Sequence, residues 1–561
     1  MTRSIPHSAI STIHDHARQS CRAVTILAVA VAAFVALHVA AAAEVSTEEK
    51  ARIAPIMAPF DMPQLQRPVF PDRSFNLANY GAVGNGTTKN TEAFRRAITA
   101  CSAAGGGMVV VPSGKWFTGP IHLKSLVNLH LEEGAEIHFS DDPQDYLPPV
   151  FIRYQGLECM NYSPLIYARD CINIAITGRG SFHGHGQKWW RWSTRASGTG
   201  SEVLTGKRLD KMIAAKLPVA ERIMPSGEEA GFRPQFIQPI NCTNVLLEDF
   251  TIAAAGPFWT VQFVYCENVI ARALNIQTKG GPNTDGIDLD STRNALIEDN
   301  LVNAGDDCIC LKSGRDTDGR RVGRPCENIV VRNCKTLSGH GGVVIGSETS
   351  GDVRNVWAHD CDFSGTDVGI RIKTMRGRGG VVENLYFQDI TMNDVRQGIH
   401  VTTFYHPTPE EPVSERTPTF HNLHIRNITA HNVRQGTVSV TGLPERPVSG
   451  LVLENLTMEG ATGGDFTDVV DVKLVNVRLT PVSGPVFSMT NVVDGLVMKS
   501  PSPKGASLFL NVKGERSRNI HVQDCDYSGA KQGITFGEDM PAETKVNLSA
   551  PQSSPHRKEH L

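Results

Sequence analysis

The sequence predicts an all-β fold, a parallel β-helix of about ten or more coils. A short motif recurs at intervals of 21 to 48 residues: a polar residue, usually Asn, followed by apolar residues one, three and six positions later. Within each motif, Val, Ile and Leu alternate with polar residues, and a period of two is typical of strands. Units that cannot bury an apolar face alone stack into a solenoid. The motif starts at Asn244, Asn268, Asn294, Asn328, Asn355, Asn384, Asn422, Gly450, Asp471 and Asn519.

The amino-terminal region predicts export. Residues 1–43 combine an apolar run over 23–40, preceding arginines and a tract of four alanines at 40–43. This layout is typical of a cleaved secretory signal peptide. The alternative is an uncleaved membrane anchor, because the run is about long enough to span a bilayer. We expect a periplasmic or extracellular protein without membrane contact after cleavage.

The remaining segments fit around the coils. Residues 44–73 form a Pro-rich leader, and Thr91–Cys101 predicts an amphipathic helix that covers the open end of the solenoid. Strands are expected at Met108–Val111, Ile121–Leu131 and Ile172–Ile176. The β-helix domain spans 74–540; an insertion at 184–232 holds three tryptophans and a possible helix at Arg208–Leu217. Residues 541–561 read as a disordered tail.

Bulk composition excludes little. A formal net charge of −3 over 561 residues argues against a nucleic-acid surface. No spacing among the twelve cysteines resembles a zinc site. Cys308 and Cys310 are separated by one residue, which is less than the usual gap of two. We assign no disulfide and predict no metal and no cofactor.

Four polar motifs in the middle of the chain mark a candidate site. Each precedes or ends a strand-like run, and side chains along a strand alternate between faces. The apolar residues of these runs form one buried face, and the polar residues form a groove on the other. The motifs are Asn283-Thr-Asp285, Gly305-Asp306-Asp307, Gly339-His340-Gly341 and Arg371-Ile372-Lys373.

The acids of these motifs predict acid–base chemistry. Asp285 aligns with Asp307 in the strand register, so one coil separates their backbones by roughly 5 Å. Asp306 lies beside them, and repulsion among three carboxylates raises at least one pKa. A protonated acid beside carboxylate bases is what glycoside hydrolysis requires. A calcium site or a solvated polar ladder is the alternative.

The cations predict an anionic ligand. Arg371 and Lys373 are two residues apart, and a guanidinium beside an ammonium suits a carboxylate. They could instead be surface charges that answer Asp288 and Asp290, and Lys312 is expected to lie beside Asp290. His340 aligns with Asp306 and could orient it or share a proton with it.

Further candidate ligand contacts follow from the same register. His400 aligns with Arg371. Tyr405 either stacks on a sugar ring or packs against Pro407. The predicted substrate-binding residues are therefore Arg371, Lys373, Tyr405, Asn283, Lys312 and His400.

The four motifs, in this order and spacing, resemble the polygalacturonase family of glycoside hydrolases (family 28), over about Phe75 to Gln532. The resemblance implies a right-handed β-helix that hydrolyses α-1,4-galacturonosidic bonds with inversion and without a metal. It implies that Asp306 is the general acid, that Asp285 and Asp307 activate water, and that His340 supports them. Arg371 and Lys373 would hold a galacturonate carboxylate; Tyr405 matches less securely.

We expect an exported, monomeric, exo-acting hydrolase of polygalacturonate or pectin oligosaccharides. Insertions at 184–232 and 405–418 could close one end of the groove, and the strings beginning at Gly286 and Cys310 are similar to exo-acting members. The alternatives are a hydrolase of xylogalacturonan or rhamnogalacturonan, a calcium-dependent pectate lyase and a non-catalytic carbohydrate-binding β-helix. The Arg371/Lys373 pair weakens the rhamnogalacturonan reading.

Overall fold

The computed structural model describes residues 53–193, 201–224, 231–540 and 546–549. The predicted signal peptide and most of the predicted tail lie outside these residues, as does the start of the leader. From Ile56 onward the chain forms one compact unit. Within the described ranges, the helices are too short or too polar to cross a membrane.

The chain winds as a right-handed parallel β-helix, which confirms the predicted fold. Each full coil contributes a strand to three sheets in turn, here called sheets A, B and C. Sheet A holds Ile121–His122, Ile166–Arg169, Ile237–Ile240, Val261–Val264, Ile287–Asp290, Asp307–Lys312, Gly341–Ile345, Val368–Lys373, Gln397–Thr402, Leu508–Lys513 and Gln532–Phe536. Sheet B holds Ser74–Asn76, Gly107–Val111, Val127–Leu131, Ile172–Gly178, Thr243–Glu248, Glu267–Arg272, Arg293–Glu298, Cys326–Arg332, Arg518–Gln523 and Val546–Ser549. Sheet C holds Gly114–Thr118, Ala135–Phe139, Ser181–His183, Thr251–Ala254, Asn275–Gln277, Leu301–Asn303 and Lys335–Ser338.

Towards the carboxyl end, strands run through the corners from one sheet into the next. These long strands are Val353–Ser364, Val381–Asn393, Thr419–Thr441, Val448–Pro481 and Pro485–Met498. In the described part of the chain, the α-helices are Thr91–Ala103, Gln187–Trp190, Ser201–Ala214 and Asp316–Val322, and short 3₁₀ turns occur at Leu77–Tyr80, Pro143–Tyr146 and Val219–Glu221.

The interior is a continuous apolar column. Ile287, Ile309, Val343 and Ile370 are aligned on successive coils and are all fully buried. The alternation of the four polar motifs therefore predicts the buried face correctly. The eleven described cysteines are all buried thiols, and Cys334, Cys361 and Cys525 belong to this column, as their motif position predicts.

A row of asparagines joins the coils at one corner. Each Nδ2 donates to Oδ1 of the asparagine one coil earlier over 2.6–3.3 Å. The backbone at every member is left-handed, which Asn tolerates better than most residues. Because each net hydrogen bond stabilises by about 1 kcal/mol, the row supports the stacking along its length. Its members are Asn173, Asn244, Asn268, Asn294, Asn328, Asn355, Asn384 and Asn422.

The predicted capping helix is confirmed. It spans Thr91–Ala103 and buries Phe94, Ala97 and Ile98 against the first coils. The predicted strand Ile121–Leu131 is wrong as one element: it is two strands, Ile121–His122 and Val127–Leu131, separated by a turn in which Leu126 has φ 65°.

The chain leaves the coils twice before Ile237. An antiparallel hairpin, Val150–Tyr154 with Leu157–Asn161, was not predicted from the sequence. Between Ser181–His183 and Ile237–Ile240, the helix Ser201–Ala214 begins seven residues before the predicted Arg208. Both excursions lie on the side of the coils where the four polar motifs meet.

Candidate active site

The four motifs meet on adjacent strands of sheet A. The Gly286 N–H donates to the Asp307 carbonyl over 2.9 Å, and the His340 N–H donates to the Asp306 carbonyl over 2.8 Å. Arg371 pairs with His400 in the register of the next two strands. The predicted alignments of Asp285 with Asp307, His340 with Asp306 and His400 with Arg371 are therefore all confirmed.

Asp306 is fixed by its neighbours. Its Oδ1 lies 2.8 Å from Nδ1 of His340 and accepts the backbone N–H of Asp307 over 3.0 Å. Its Oδ2 accepts Nδ2 of Asn283 over 3.3 Å. The carboxyl is thus held in one orientation at the rim of the site.

Asp307 is held by the two predicted cations. Nζ of Lys373 lies 2.7 Å from its Oδ2, and Nη1 of Arg371 lies 3.6 Å from its Oδ1. Ligand atoms of Asp306, Asp307 and His340 lie within 4.8 Å of one another, a spacing that a metal ion could bridge. At Asp307, however, the Lys373 ammonium already supplies a positive charge.

Asp285 has a different environment from the other two acids. Burial raises its pKa well above the ordinary value, and the charges of Asp288 and Asp306 add to the rise. Asp285 therefore retains a proton more readily than an exposed carboxyl.

Lys312 lies beneath this trio. Its predicted position beside Asp290 in the strand register is confirmed, but its ammonium contacts other carboxyls. Its Nζ is 3.4 Å from Asp288, 3.6 Å from Asp285 and 3.7 Å from Glu348. The ammonium also lies 4.4 Å from the centre of the Trp259 ring. Strand alternation gives the side of the strand correctly but not which neighbour a long side chain reaches.

The three carboxyls around Lys312 differ in charge state. Burial raises the pKa of Asp288 to about 8 despite Lys312. For Glu348, Lys312 and Arg378 outweigh burial and lower the pKa to about 2. Glu348 is therefore the ionised partner of the buried ammonium, whereas Asp288 is neutral over much of the acidic to neutral range.

Asp290 is neutralised from the hairpin instead. Nη1 of the fully buried Arg153 lies 2.8 Å from Asp290 Oδ1 and donates to Ser291 Oγ over 2.8 Å. Gln262 donates to the other Asp290 oxygen over 3.2 Å. Asp290 thus anchors the hairpin to sheet A rather than facing the groove.

These side chains surround a cavity of about 190 Å³. Seven of the ten predicted site residues line it: Asn283, Asp285, Asp306, Asp307, Lys312, Lys373 and Tyr405. The lining residues that the sequence did not identify are Gln155, Trp259, Arg315, Ser347, Glu348, Arg378 and His406. Arg315 and Glu348 come one or two residues after the Ser that follows a sheet A strand, so this position in each coil is a sequence signal that could have identified them.

The other three predicted residues, His340, Arg371 and His400, are not among the lining residues but lie next to them. His340 contacts Asp306, and Arg371 lies beside Asp307. His400 is half-buried, and burial together with Arg371 lowers its pKa to about 4. Tyr405 lies with its ring over Lys373, 5.1 Å from the ammonium, and over Arg371 at 5.6 Å.

A larger cleft of about 560 Å³ lies over sheet B, next to Arg67 and Phe70 of the leader. Its lining includes four acids, Glu132, Glu133, Glu248 and Asp249, but Glu248 is paired with Arg67 and Arg272. The smaller cavity combines four carboxyls, two ammonium groups and two guanidinium groups.

The described coils thus form a parallel β-helix that gathers acids and cations in one groove of sheet A. A sequence model described as Glycosyl hydrolases family 28 matches residues 223–481. A probable polygalacturonase of Vitis vinifera is 30% identical over 396 residues, covering 69% of this chain and 74% of that protein. The chain belongs to glycosyl hydrolase family 28.

Solved structures agree with this assignment. The exopolygalacturonase of Thermotoga maritima is 38% identical, with a TM-score of 0.70, and the match covers 74% of this chain and 94% of that one. The family 28 exopolygalacturonase of Yersinia enterocolitica shares the fold at 21% identity and a TM-score of 0.58, over 79% of this chain and 78% of that one. An exo-poly-alpha-D-galacturonosidase of Dickeya chrysanthemi is 29% identical over 59% of this chain and 57% of that protein. The protein is a glycoside hydrolase.

Proposed function

We propose that this protein is an exported exo-polygalacturonase that releases galacturonate from chain ends of polygalacturonate with inversion at the anomeric carbon. The observation that carries the proposal is that Asp285, Asp306, Asp307 and Lys373 line one small cavity of sheet A, with Arg371 beside Asp307. The acids supply proton transfer, and the cations suit the carboxylate of a uronic acid.

In this proposal Asp306 protonates the glycosidic oxygen. His340 and Asn283 orient its carboxyl. Asp285 and Asp307 hold the attacking water, and the carboxylate of Asp307, paired with Lys373, takes the proton of the water as it adds to the anomeric carbon. No step of this scheme depends on a metal ion.

The placement of water is the basis for inversion. The nearest ligand atoms of Asp306 and Asp307 lie within 4.8 Å, shorter than the roughly 6.5–9.5 Å between carboxyls in most inverting enzymes. Inversion therefore depends on a water held between Asp285 and Asp307, one coil apart, rather than on a wide gap between two carboxyls.

Exo action is supported by the wall at one end of the cavity. The hairpin tip contributes Gln155 to the lining, and the Gly156 carbonyl accepts the Arg315 N–H over 3.1 Å. Asp318 links this wall to two other elements. It accepts the N–H of Glu158 in the hairpin over 3.0 Å, and it lies 2.9 Å from Nη1 of Arg222 in the insertion. A polymer end fits against such a wall, whereas a chain interior requires an open groove.

The decisive experiment follows the products of defined galacturonate oligomers over time by anion-exchange chromatography, with proton NMR of the first anomer released. Monomer from the first time point, released as the β-anomer from an α-linked substrate, is the expected result. Mixed fragments would overturn exo action, and an initial α-anomer would overturn inversion. Turnover of xylogalacturonan or rhamnogalacturonan in preference to polygalacturonate would overturn the substrate.

Export is tested separately. Expression with the full leader should yield a mature protein beginning at Glu44, read by amino-terminal sequencing of the periplasmic and medium fractions. Retention of residues 1–43 in the membrane fraction would overturn the signal peptide. The proposed monomer is checked by light scattering of the mature protein.

A further inference from the structure

A cluster of histidines lies on the outer side of sheet C, away from the cavity. Glu136 and His138 belong to strand Ala135–Phe139, and His183 is aligned with His138 on the next strand. His185 follows two residues later and is exposed. The catalytic strand Ile287–Asp290 belongs to the third coil after that of His183, so the cluster is separate from the acids of sheet A.

The side chains of the cluster converge. The rings of His138 and His183 are stacked, with centroids 4.3 Å apart and an 11° angle between planes. Nε2 of His138 lies 3.1 Å from Oε2 of Glu136. One ligand atom from each of Glu136, His138 and His183 lies within 4.8 Å of the other two.

We propose that Glu136, His138 and His183 form a binding site for a divalent first-row transition metal, with Zn²⁺ as the probe. Two imidazoles and one carboxylate are a set that zinc accepts while keeping a fourth position for water. Two ligands of one tetrahedral zinc are about 3.3 Å apart, given bonds of roughly 2.0–2.1 Å. The 3.1 Å between His138 and Glu136 is close to that separation.

His185 has a positioning role in this site. Its Nε2 lies 3.0 Å from Nδ1 of His138, the nitrogen that faces away from Glu136. A metal-bound histidine commonly donates its other N–H to such a partner, which fixes the ring and its tautomer. Nδ1–H of His138 can therefore donate to His185 while Nε2 binds the metal.

Lys115 is the competing cation. Its Nζ lies 3.4 Å from Oε2 of Glu136, the atom that the metal would take. Both side chains are substantially exposed, so the lysine can swing into solvent when a metal arrives. The site is open to solvent, and a bound ion would join two coils at the root of the insertion that starts after His183.

The test is isothermal titration of the chelator-treated mature protein with zinc chloride, with visible absorption of the cobalt-loaded protein as a second readout. We expect one equivalent bound with micromolar or tighter affinity. His183→Asn and Glu136→Gln should each weaken binding by about tenfold or more. Lys115→Met should tighten it, because the competing ammonium is removed. His431→Asn removes an exposed histidine of a distant coil and should change nothing.

The group formed by Asp306, Asp307 and His340 serves as a control, because it could also bind zinc. His340→Asn disrupts the Asp306, Asp307 and His340 group, and zinc uptake that disappears only in this variant would overturn the proposal. Unchanged affinity in both His183→Asn and Glu136→Gln would overturn it as well. Unchanged affinity in Lys115→Met would contradict the assignment of Glu136 as a ligand. Circular dichroism of each variant confirms that the coils are intact.

Discussion

The ammonium of Lys373 lies 2.7 Å from Oδ2 of Asp307, two coils away on the same sheet. Both side chains are almost fully buried. The lysine that would hold a substrate carboxylate is thus already bonded to a carboxylate of the protein. A substrate carboxylate bound by Lys373 would therefore share one ammonium group with Asp307.

The first prediction tests this pair by stability. Lys373→Met should lower the free energy of unfolding by about 3–5 kcal/mol, because a buried carboxylate loses its partner. Asp307→Asn combined with Lys373→Met should recover much of that loss. Thermal unfolding of the two variants and of the exposed control Lys335→Met measures the difference; a double variant no more stable than Lys373→Met would refute the pairing.

The second prediction concerns the proposed acid. Asp306→Asn should lower kcat by about 10²–10⁴-fold, the usual contribution of a general acid, with the fold unchanged. Reducing-sugar release on polygalacturonate and circular dichroism measure the two effects. Asp471→Asn, an exposed acid of a distant coil, is the control. Activity near that of the parent would remove Asp306 from its proposed role.

The third prediction concerns the carboxylate of the substrate. Arg371→Ala should weaken binding of a galacturonate oligomer by about tenfold or more, since a charge-assisted hydrogen bond contributes about 1.5–3 kcal/mol. Binding of a neutral galactose oligomer should change far less. Calorimetry with both ligands, and with the sheet B control Arg354→Ala, makes the comparison. Equal losses for the two ligands would contradict a carboxylate contact.

The fourth prediction is a pH dependence. In the folded protein the pKa of Glu348 is lowered to about 2 from an ordinary value of 4.5. A lowered carboxyl pKa stabilises the fold above about pH 4.5, and that stabilisation is lost as the pH falls towards 2. Glu348→Gln should flatten unfolding stability across this window and cost about 3 kcal/mol near neutrality. Urea unfolding from pH 2 to 7 measures it, with exposed Glu133→Gln as control; a parallel curve for the Glu348 variant would refute the buried ion pair.

The fifth prediction tests the cavity wall. Gly156 has φ 78°, and a Cβ there would lie 2.7 Å from the backbone nitrogen of Arg315. Gly156→Ala should push the hairpin tip from the wall, so that longer products appear beside monomer. Gly505→Ala has similar backbone strain, with φ 87° and open space around the Cβ, and should leave products unchanged. Identical product profiles for both variants would show that the hairpin does not determine exo action.

The sheet A register could be predicted because alternation along a strand and stacking between coils are local rules. They align Asp285 with Asp307 and His340 with Asp306 without knowledge of the loops. The partners of Lys312 and Asp290 could not be predicted. Asp290 is neutralised by Arg153, 137 residues earlier in the chain, and Glu348 comes from a turn rather than from a strand.

The asparagine row has a consequence for how such a molecule can change. Consecutive rungs are joined by 24 to 71 residues of chain, yet their amides stay 2.6–3.3 Å apart. The pitch of the spiral is therefore independent of how much polypeptide is inserted between turns. A longer or different loop between coils would therefore change the residues around the cavity but not the spacing of its acids. Preferences for other polymers can evolve by loop exchange alone.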